Sequence, residues 1–510
     1  CSFVGSVRCV YETVPLLLGA LLLTSAMSML DQSIVATAGP SLAADLGAMH
    51  LYSWTFTAYM LTFAMAMPVY GKLGDLLGRR SVYLAAIALF VLGSVACGMA
   101  TSMEQLIVFR ALQGLGGGGL QVGAFAVLGD LLPPRQRAHY QGWFAGVMII
   151  ANLSGPPVGG LLTDLLGWQW IFYVNVPIGI VAFIGLRLLL PAGPRADSRP
   201  PFDLPGLALL TGLICCLVLL TDLAGRHGWA HPAVLPLAIT AAPALLLWLR
   251  VERRASDPAV PLDLFSRRPF AIAVAVAFAV SFAFFGCVSF VPLFLQMAAG
   301  VSPTGTGLLF LPAMAGMALA TMLVGRSIGR SGRYKWFPVI GTALALVATG
   351  TLALASPDTG LPFIGLLLTV LGIGVGMSSQ VTTVIAQSAA PRRHMGVSTS
   401  TVGLARNLGV AFGVAVLGAL VNARITAEAA HRLPSELADR ILSGHLSPGE
   451  VSGLGARETA AVAEVYGEAL SSAFLAACPL LLAALVLALL LPDERLAARG
   501  PGGAGRASRP

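Results

Sequence analysis

One acidic side chain stands where apolar sequence leaves no room for an idle charge. Asp31 lies within the apolar run from Val14 to Ala38, and of the 23 acids it alone falls well inside such a run. A carboxylate away from water is costly unless it meets a partner or a cavity, and its natural chemistry there is to take up and release a proton. The bland reading is a hydrogen bond that only fixes packing. Arg110, near the start of a later run and about one and a half turns past Glu104, is the candidate partner. A nearby guanidinium favours the ionised carboxyl and burial the neutral one, so changing their separation would load and unload a proton. Arg110 has a bland alternative too, snorkelling or pairing with Glu104. Arg406, followed by Asn407, is the other arginine in the middle of an apolar run. It could anchor an anionic group, pair across a cavity or shape its electrostatics. With Gln113 and Asn152, these two form a candidate substrate-cavity set.

The elements that hold these residues must lie in lipid. Of 510 residues 56% are hydrophobic and 11% charged, whereas soluble domains are about 25% charged. Apolar runs long enough to cross roughly 30 Å of hydrocarbon recur at 14–38, 51–70, 81–100, 105–129, 140–163, 168–190, 205–222, 232–250, 270–292, 305–325, 337–355, 362–386, 399–421 and 470–491. The expectation is an all-α polytopic membrane protein of fourteen spans. Alternate loops, together with the tail from 492, carry 22 of the 31 Lys and Arg, and the opposite short loops carry only Arg226. That asymmetry places both termini in the cytoplasm. It also accounts for the net charge of +8 without a nucleic-acid partner. The segment 422–469, with four Arg against seven acids, reads as a long extracellular loop in which Pro434-Ser435-Glu436 opens a short helix and Gly444 could end it. Arg outnumbers Lys 29 to 2, which points to a GC-rich bacterial gene and a bacterial plasma membrane.

A repeat runs through the chain at an offset of 254. It aligns GKLGDLLGRR (71–80) with GRSIGRSGRY (325–334), matching Gly71 with Gly325, Lys72 with Arg326, Gly78 with Gly332 and Arg79 with Arg333. The same offset sets Gly142 on Gly396, Gly155 on Gly409 and Gly159 on Gly413. This divides the chain into a six-helix half at 1–190, a linker with inserted spans 7 and 8 at 191–269, a second six-helix half at 270–491 and a disordered cytoplasmic tail at 492–510. Two-half transporters bind substrate between the halves, near the membrane midplane.

With LDQSIVATAGPSL (30–42), GKLGDLLGRR (71–80), RALQGLGGGG (110–119) and SGPPVGGLLTDLLGWQWIFYVNVPIG (154–179), the chain resembles the major facilitator superfamily, specifically its fourteen-span drug/proton antiporter family. The resemblance implies that Asp31 and Arg110 couple transport to protons. It implies that Gly71, Lys72, Gly74, Asp75, Gly78, Arg79 and Arg80 form a loop latching the halves in the outward-facing state; Asp75 becomes Gly329 in the repeat, so the second copy should lack the latch. It also makes the Gly155, Pro156, Gly159 and Gly160 segment of span 5 an antiporter signature, able to seal against leak as the helix bends, although ordinary small-residue packing explains it equally.

Other chemistries are disfavoured. The seven histidines fall outside the middles of the spans, the seven cysteines show no metal spacing, and GLGGGGLQ (114–121) has no Gly-Lys-Ser/Thr behind it. The resulting expectation is a monomeric, cofactor-free antiporter driven by the proton gradient, exporting small lipophilic compounds by alternating access. With no acid in span 10, monocations, neutral compounds or zwitterions are favoured. The rivals are export of an endogenous metabolite or lipid, a proton-driven uptake symporter, and a transport-dead receptor. The chain begins at Cys1 rather than Met, which is compatible with an N-terminus further upstream.

Overall fold

The structure is a computed structural model that describes residues 2–37, 42, 45–46, 51–190, 203–229, 231–255, 258, 260–297, 299–301, 303–356, 359–391, 394–442 and 454–496. Some side chains within its helices, those of Asn152 and Pro156 among them, lie outside the description. In hydrocarbon nothing but the chain itself can satisfy backbone amides, and these sequences form helices accordingly. In order they are α1 (Ser2–Thr37), α2 (Tyr52–Leu77), α3 (Arg79–Gly98), α4 (Met103–Leu131), α5 (Pro134–Leu166), α6 (Trp170–Tyr173), α7 (Asn175–Leu189), α8 (Leu204–His227), α9 (Val234–Glu252), α10 (Asp263–Ser266), α11 (Arg268–Val288), α12 (Val291–Met297), α13 (Pro303–Ser331), α14 (Trp336–Leu352), α15 (Leu361–Ala389), α16 (Met395–Arg432), α17 (Ser435–Leu442) and α18 (Ala456–Leu489). By length and composition, eleven spans among the described residues can cross a membrane, α6 and α7 together making one. Helices α2, α5 and α14 occupy the other three expected places, and α14 has only 17 residues. The count of fourteen thus exceeds what length and hydropathy alone support.

The expected long loop at 422–469 is largely helix instead. Helix α16 runs on to Arg432, α17 starts at Ser435 behind Pro434, and α18 starts at Ala456. Arg432 joins two of these helices, donating to Glu428 at 2.9 Å on its own helix and to Glu464 at 2.8 Å and Glu468 at 2.6 Å on α18. Three carboxylates around one guanidinium offset the exposure of these helix ends, a pattern that hydropathy cannot register. Gly444 lies outside the described residues. So do 497–510 of the expected disordered tail; Leu496, by contrast, donates its N–H to Gly332 and accepts from Arg135.

Helix pairing follows the repeat. Helix α1 packs on α5 and α2 on α4 in the first half, as α11 packs on α16 and α13 on α15 in the second. Apolar cores form within 17–190 and within 264–496, the latter capped by Ala138. The inserted α8 and α9 bury Leu210, Ile214 and Trp248 with Ala64 of α2 and Val397 of α16, and so touch both halves. The matched glycines Gly78 and Gly332 have φ of 89° and 71°, turning the chain between α2 and α3 and between α13 and α14 in a region that favours glycine.

The remaining matched glycines lie where the halves meet. A Cβ on Gly71 would stand 2.9 Å from the Gly396 carbonyl oxygen, and one on Gly325 would stand 2.4 Å from that of Ala138 and 3.4 Å from Gly142 Cα. Gly142 in turn faces Thr321 and Met322 of α13. The repeat pairs Gly71/Gly325 and Gly142/Gly396 are therefore two equivalent seams, α2 on α16 and α13 on α5, both on the face that bears the basic loops. Gly155 packs on Ser33 of α1, its mate Gly409 packs on Phe278 of α11, and Gly413, the mate of Gly159, packs on Phe282. The two seams close the basic face. In a tightly packed interface a Gly71→Val change should cost ~1–3 kcal/mol in the closed arrangement. Ser398 is fully buried beside the seam. In a chain whose only cysteine is S398C, thiol alkylation should rise about fivefold or more on adding G71V.

Candidate functional site

Helix α4 holds the site together. Its run GLGGGG brings two neighbours to backbone distance: Gly114 and Gly118 lie against Tyr59 and Phe63 of α2, and Gly116 against Phe90 of α3. With α2 and α3 this close, the Arg110 side chain cannot leave the bundle. Asp31 and Arg110 are 0% and 1% exposed and meet directly, Nη1 donating to Oδ2 at 2.7 Å. The same Nη1 also donates to Gln113 Oε1 at 2.7 Å, and the Arg110 Nε donates to the Thr55 carbonyl at 3.4 Å. The guanidinium carbon stands 4.2 Å from the centroid of the Tyr59 ring, a cation–π arrangement.

The other carboxylate oxygen is equally occupied. Asp31 Oδ1 accepts from Gln113 Nε2 and from Asn175 Nδ2, each at 2.8 Å. Both amides also donate to Ser94 Oγ, at 2.8 and 2.9 Å, and that hydroxyl donates to the Phe172 carbonyl. Among the described residues three donors, from Arg110, Gln113 and Asn175, and no acceptor surround this one carboxyl. Asn175 Oδ1 is buried without a hydrogen-bond partner. The network draws on α1, α2, α3, α4, α6 and α7, all from the first half.

This placement revises one expectation. Gln113, expected to line a substrate cavity, is 0% exposed and belongs to the ion-pair network. Asp31 meets its expected partner, buried inside the first half. Ser94, Tyr59 and Asn175 escaped the sequence reading. Only Asn175 carried a signal, being an amide inside the apolar run 168–190.

The GKLGDLLGRR turn acts across the halves. Asp75 accepts the backbone N–H groups of Gly396 and Val397, both at 3.1 Å, at the start of α16, where a helix dipole favours a carboxylate. Arg79 bridges Asp75 and Asp130, the latter at 2.9 Å. Lys72 reaches the Pro258 carbonyl at 2.8 Å rather than Asp75, tying the turn to the segment behind the inserted pair, and Arg80 donates to the Arg187 carbonyl. A Cβ on Gly74 would meet the Arg79 guanidinium, and Gly78 makes the turn. In the repeat, Gly329 offers no side chain and lies against Arg135 and His139. In α5, Gly155 and Gly159 are buried, Gly160 is half-buried with open space where a Cβ would sit, and the helix runs without a break through Pro156 and Pro157. In α16, Asn407 donates to Met67 Sδ of α2 at 3.3 Å, and Arg406 donates to the Ser379 carbonyl and Thr383 Oγ1 of α15.

Removing one member of a buried pair strands the other. Asp31→Asn and Arg110→Gln should each destabilise the purified protein by about 3–5 kcal/mol. The double variant should recover most of that loss, as read from thermal unfolding in a double-mutant cycle. Purely additive losses would show that the two charges do not act as a pair.

Comparison with known proteins agrees with this architecture. Residues 21–414 match the Major Facilitator Superfamily. The chain is 36% identical over 474 residues to an uncharacterized MFS-type transporter of Mycobacterium tuberculosis, covering 91% of this chain and 67% of that one. It is 35% identical over 413 residues to the multidrug transporter protein MdtP of Bacillus subtilis, covering 80% and 75%. It is 33% identical over 402 residues to the tetracenomycin C resistance and export protein of Streptomyces glaucescens, covering 78% and 69%. Among solved structures, the human organic anion transporter MFSD10 superposes with a TM-score of 0.62 at 17% identity over 92% of this chain and 99% of that one. The proton:xylose symporter XylE gives 0.56 at 14% over 91% and 95%. At such identities these two speak for the fold alone. A bundle of membrane-length helices, a family match over most of the chain and relatives above 30% identity establish that this chain belongs to the Major Facilitator Superfamily, as a multi-pass membrane transporter and not an enzyme.

Proposed function

We propose that this transporter exports small lipophilic compounds, drugs or antibiotics among them, from a bacterial cytoplasm in exchange for protons, by alternating access. The observation that carries the reading is the Asp31–Arg110 pair, a titratable acid sealed in the membrane with its counter-charge. The names of the MdtP and tetracenomycin relatives support the export direction. On this reading the basic face is cytoplasmic and the closed seams belong to the outward-facing state, held by Asp75 on α16.

Coupling follows from the donor set. Protonating Asp31 weakens its attraction to Arg110 and turns one oxygen into a donor that needs an acceptor. The unpartnered Asn175 Oδ1 is at hand once that amide inverts. Protonation therefore loosens α1 from α4 and α7, and the proton leaves when Arg110 returns. One acid per cycle implies one proton. Export of a neutral compound then gains about 2.3 kcal/mol per 100 mV of membrane potential.

The test is accumulation of ethidium, Nile red and rhodamine B in cells with and without the protein. At least one dye should accumulate several-fold less in cells that carry it. Both a protonophore and the D31N/R110Q double variant, at matched membrane levels, should abolish the difference. Export surviving in the double variant would remove Asp31 from the mechanism.

A further inference from the structure

Arg406 stands in the membrane without a counter-charge. It lies eleven residues past Met395, where α16 begins, or roughly 16 Å along the axis at ~1.5 Å per residue, which is about half the hydrocarbon thickness. Both of its hydrogen bonds are made by one nitrogen, Nη2, to the Ser379 carbonyl at 2.9 Å and Thr383 Oγ1 at 3.2 Å. Among the described residues no carboxylate pairs with it. The sequence explains why, since α11, α13, α14 and α15 contain no Asp or Glu and the first acid of α16 is Glu428, six turns away. The side chain is half-buried. Its Nε and Nη1 make no hydrogen bond among the described residues. The side chain adjoins the boundary between the halves, because Gly403 and Asn407, on either side of Arg406 in the helix, touch Met67 of α2.

Arg110 provides the contrast within the same protein. There the fold surrounds a guanidinium with a carboxylate, an aromatic face and two more acceptors. Arg406 has a neutral anchor that fixes its plane and three N–H groups left over. Both parallel N–H pairs of an arginine fork include the occupied Nη2, so the free Nε and Nη1 groups suit single charge-assisted bonds to the oxygens of an acidic group. We propose that Arg406 is an anion subsite and that the transported compounds include lipophilic molecules bearing an acidic group, a carboxylate above all, whose charge supplies the counter-ion missing from the second half. This rests on the transport reading above and narrows its substrate class.

Binding to the purified full chain in detergent tests the subsite apart from proton coupling. The probes are rhodamine B, which carries a free carboxylate, and rhodamine 6G, a cation of the same ring system whose acid is esterified, both followed by fluorescence anisotropy. A charge-assisted bond to the carboxylate should make wild-type protein prefer rhodamine B by about tenfold or more. Arg406→Gln should bring the ratio to about one, and Arg406→Lys, keeping the charge with a different donor geometry, to an intermediate value. An unchanged thermal midpoint certifies that each variant is folded; should R406Q unfold, R406K carries the comparison. Equal or stronger binding of rhodamine 6G by the wild type, no binding of either dye, or a preference that survives in R406Q and R406K would overturn the proposal. Since no gradient is present, such a result leaves the antiport reading standing. Loss of gradient-driven export with the preference intact would do the reverse.

Discussion

The constraint on which the rest of the structure depends is the burial of one ion pair. Two opposite charges placed in a low-dielectric interior are tolerable only with close geometry and with every remaining donor and acceptor occupied. Here that condition recruits α1, α2, α3, α4, α6 and α7. The glycines of α4 bring α2 and α3 to backbone distance, Gly155 lets α5 come against α1 next to Asp31, and α7 begins at the asparagine that bonds the carboxylate. The first half is thereby organised around a group whose charge state can change. On the proposed reading, a change of protonation there would be felt by all of these helices, the physical requirement for linking a proton to a movement.

The second half is built differently. It repeats the helix pairing and glycine seams of the first, and it lacks the buried pair. Its mid-membrane arginine is anchored to neutral groups, and its copy of the basic turn has glycine where the first has Asp75. The two halves thus share packing, which depends on small residues at a few seams, and differ in their charged groups. Asp75 reaches from the first half onto the start of α16. The inserted α8 and α9 touch both halves, and Lys72 ties the latch turn to the chain that follows them. They stand where they can sense the relative position of the halves.

Much of this was legible in the sequence because membrane constraints are written in composition. Apolar length marks helices, basic loops mark one face, and a lone acid among apolar residues marks a site, all without knowledge of packing. The offset of 254 exposed the repeat, and the matches Gly71/Gly325 and Gly142/Gly396 became two equivalent seams. Where the reading failed, the reason was local. The segment 422–469 looked like a loop because it is polar, and the ion cluster around Arg432 holds its ends as helix regardless.

What the sequence determined by itself is therefore the helical membrane architecture, its two-fold repeat and the identity of the charged residues that need an explanation. What only the tertiary structure decided is which groups those charges meet. Gln113 could have lined a cavity as readily as an ion pair, since one face of α4 is as apolar as another, and Ser94 carries no mark separating it from ordinary polar residues. Their roles arise because α3, α4 and α7 converge on α1 at hydrogen-bond distance, and convergence between segments distant in the chain is a property of packing that no local pattern of residues encodes.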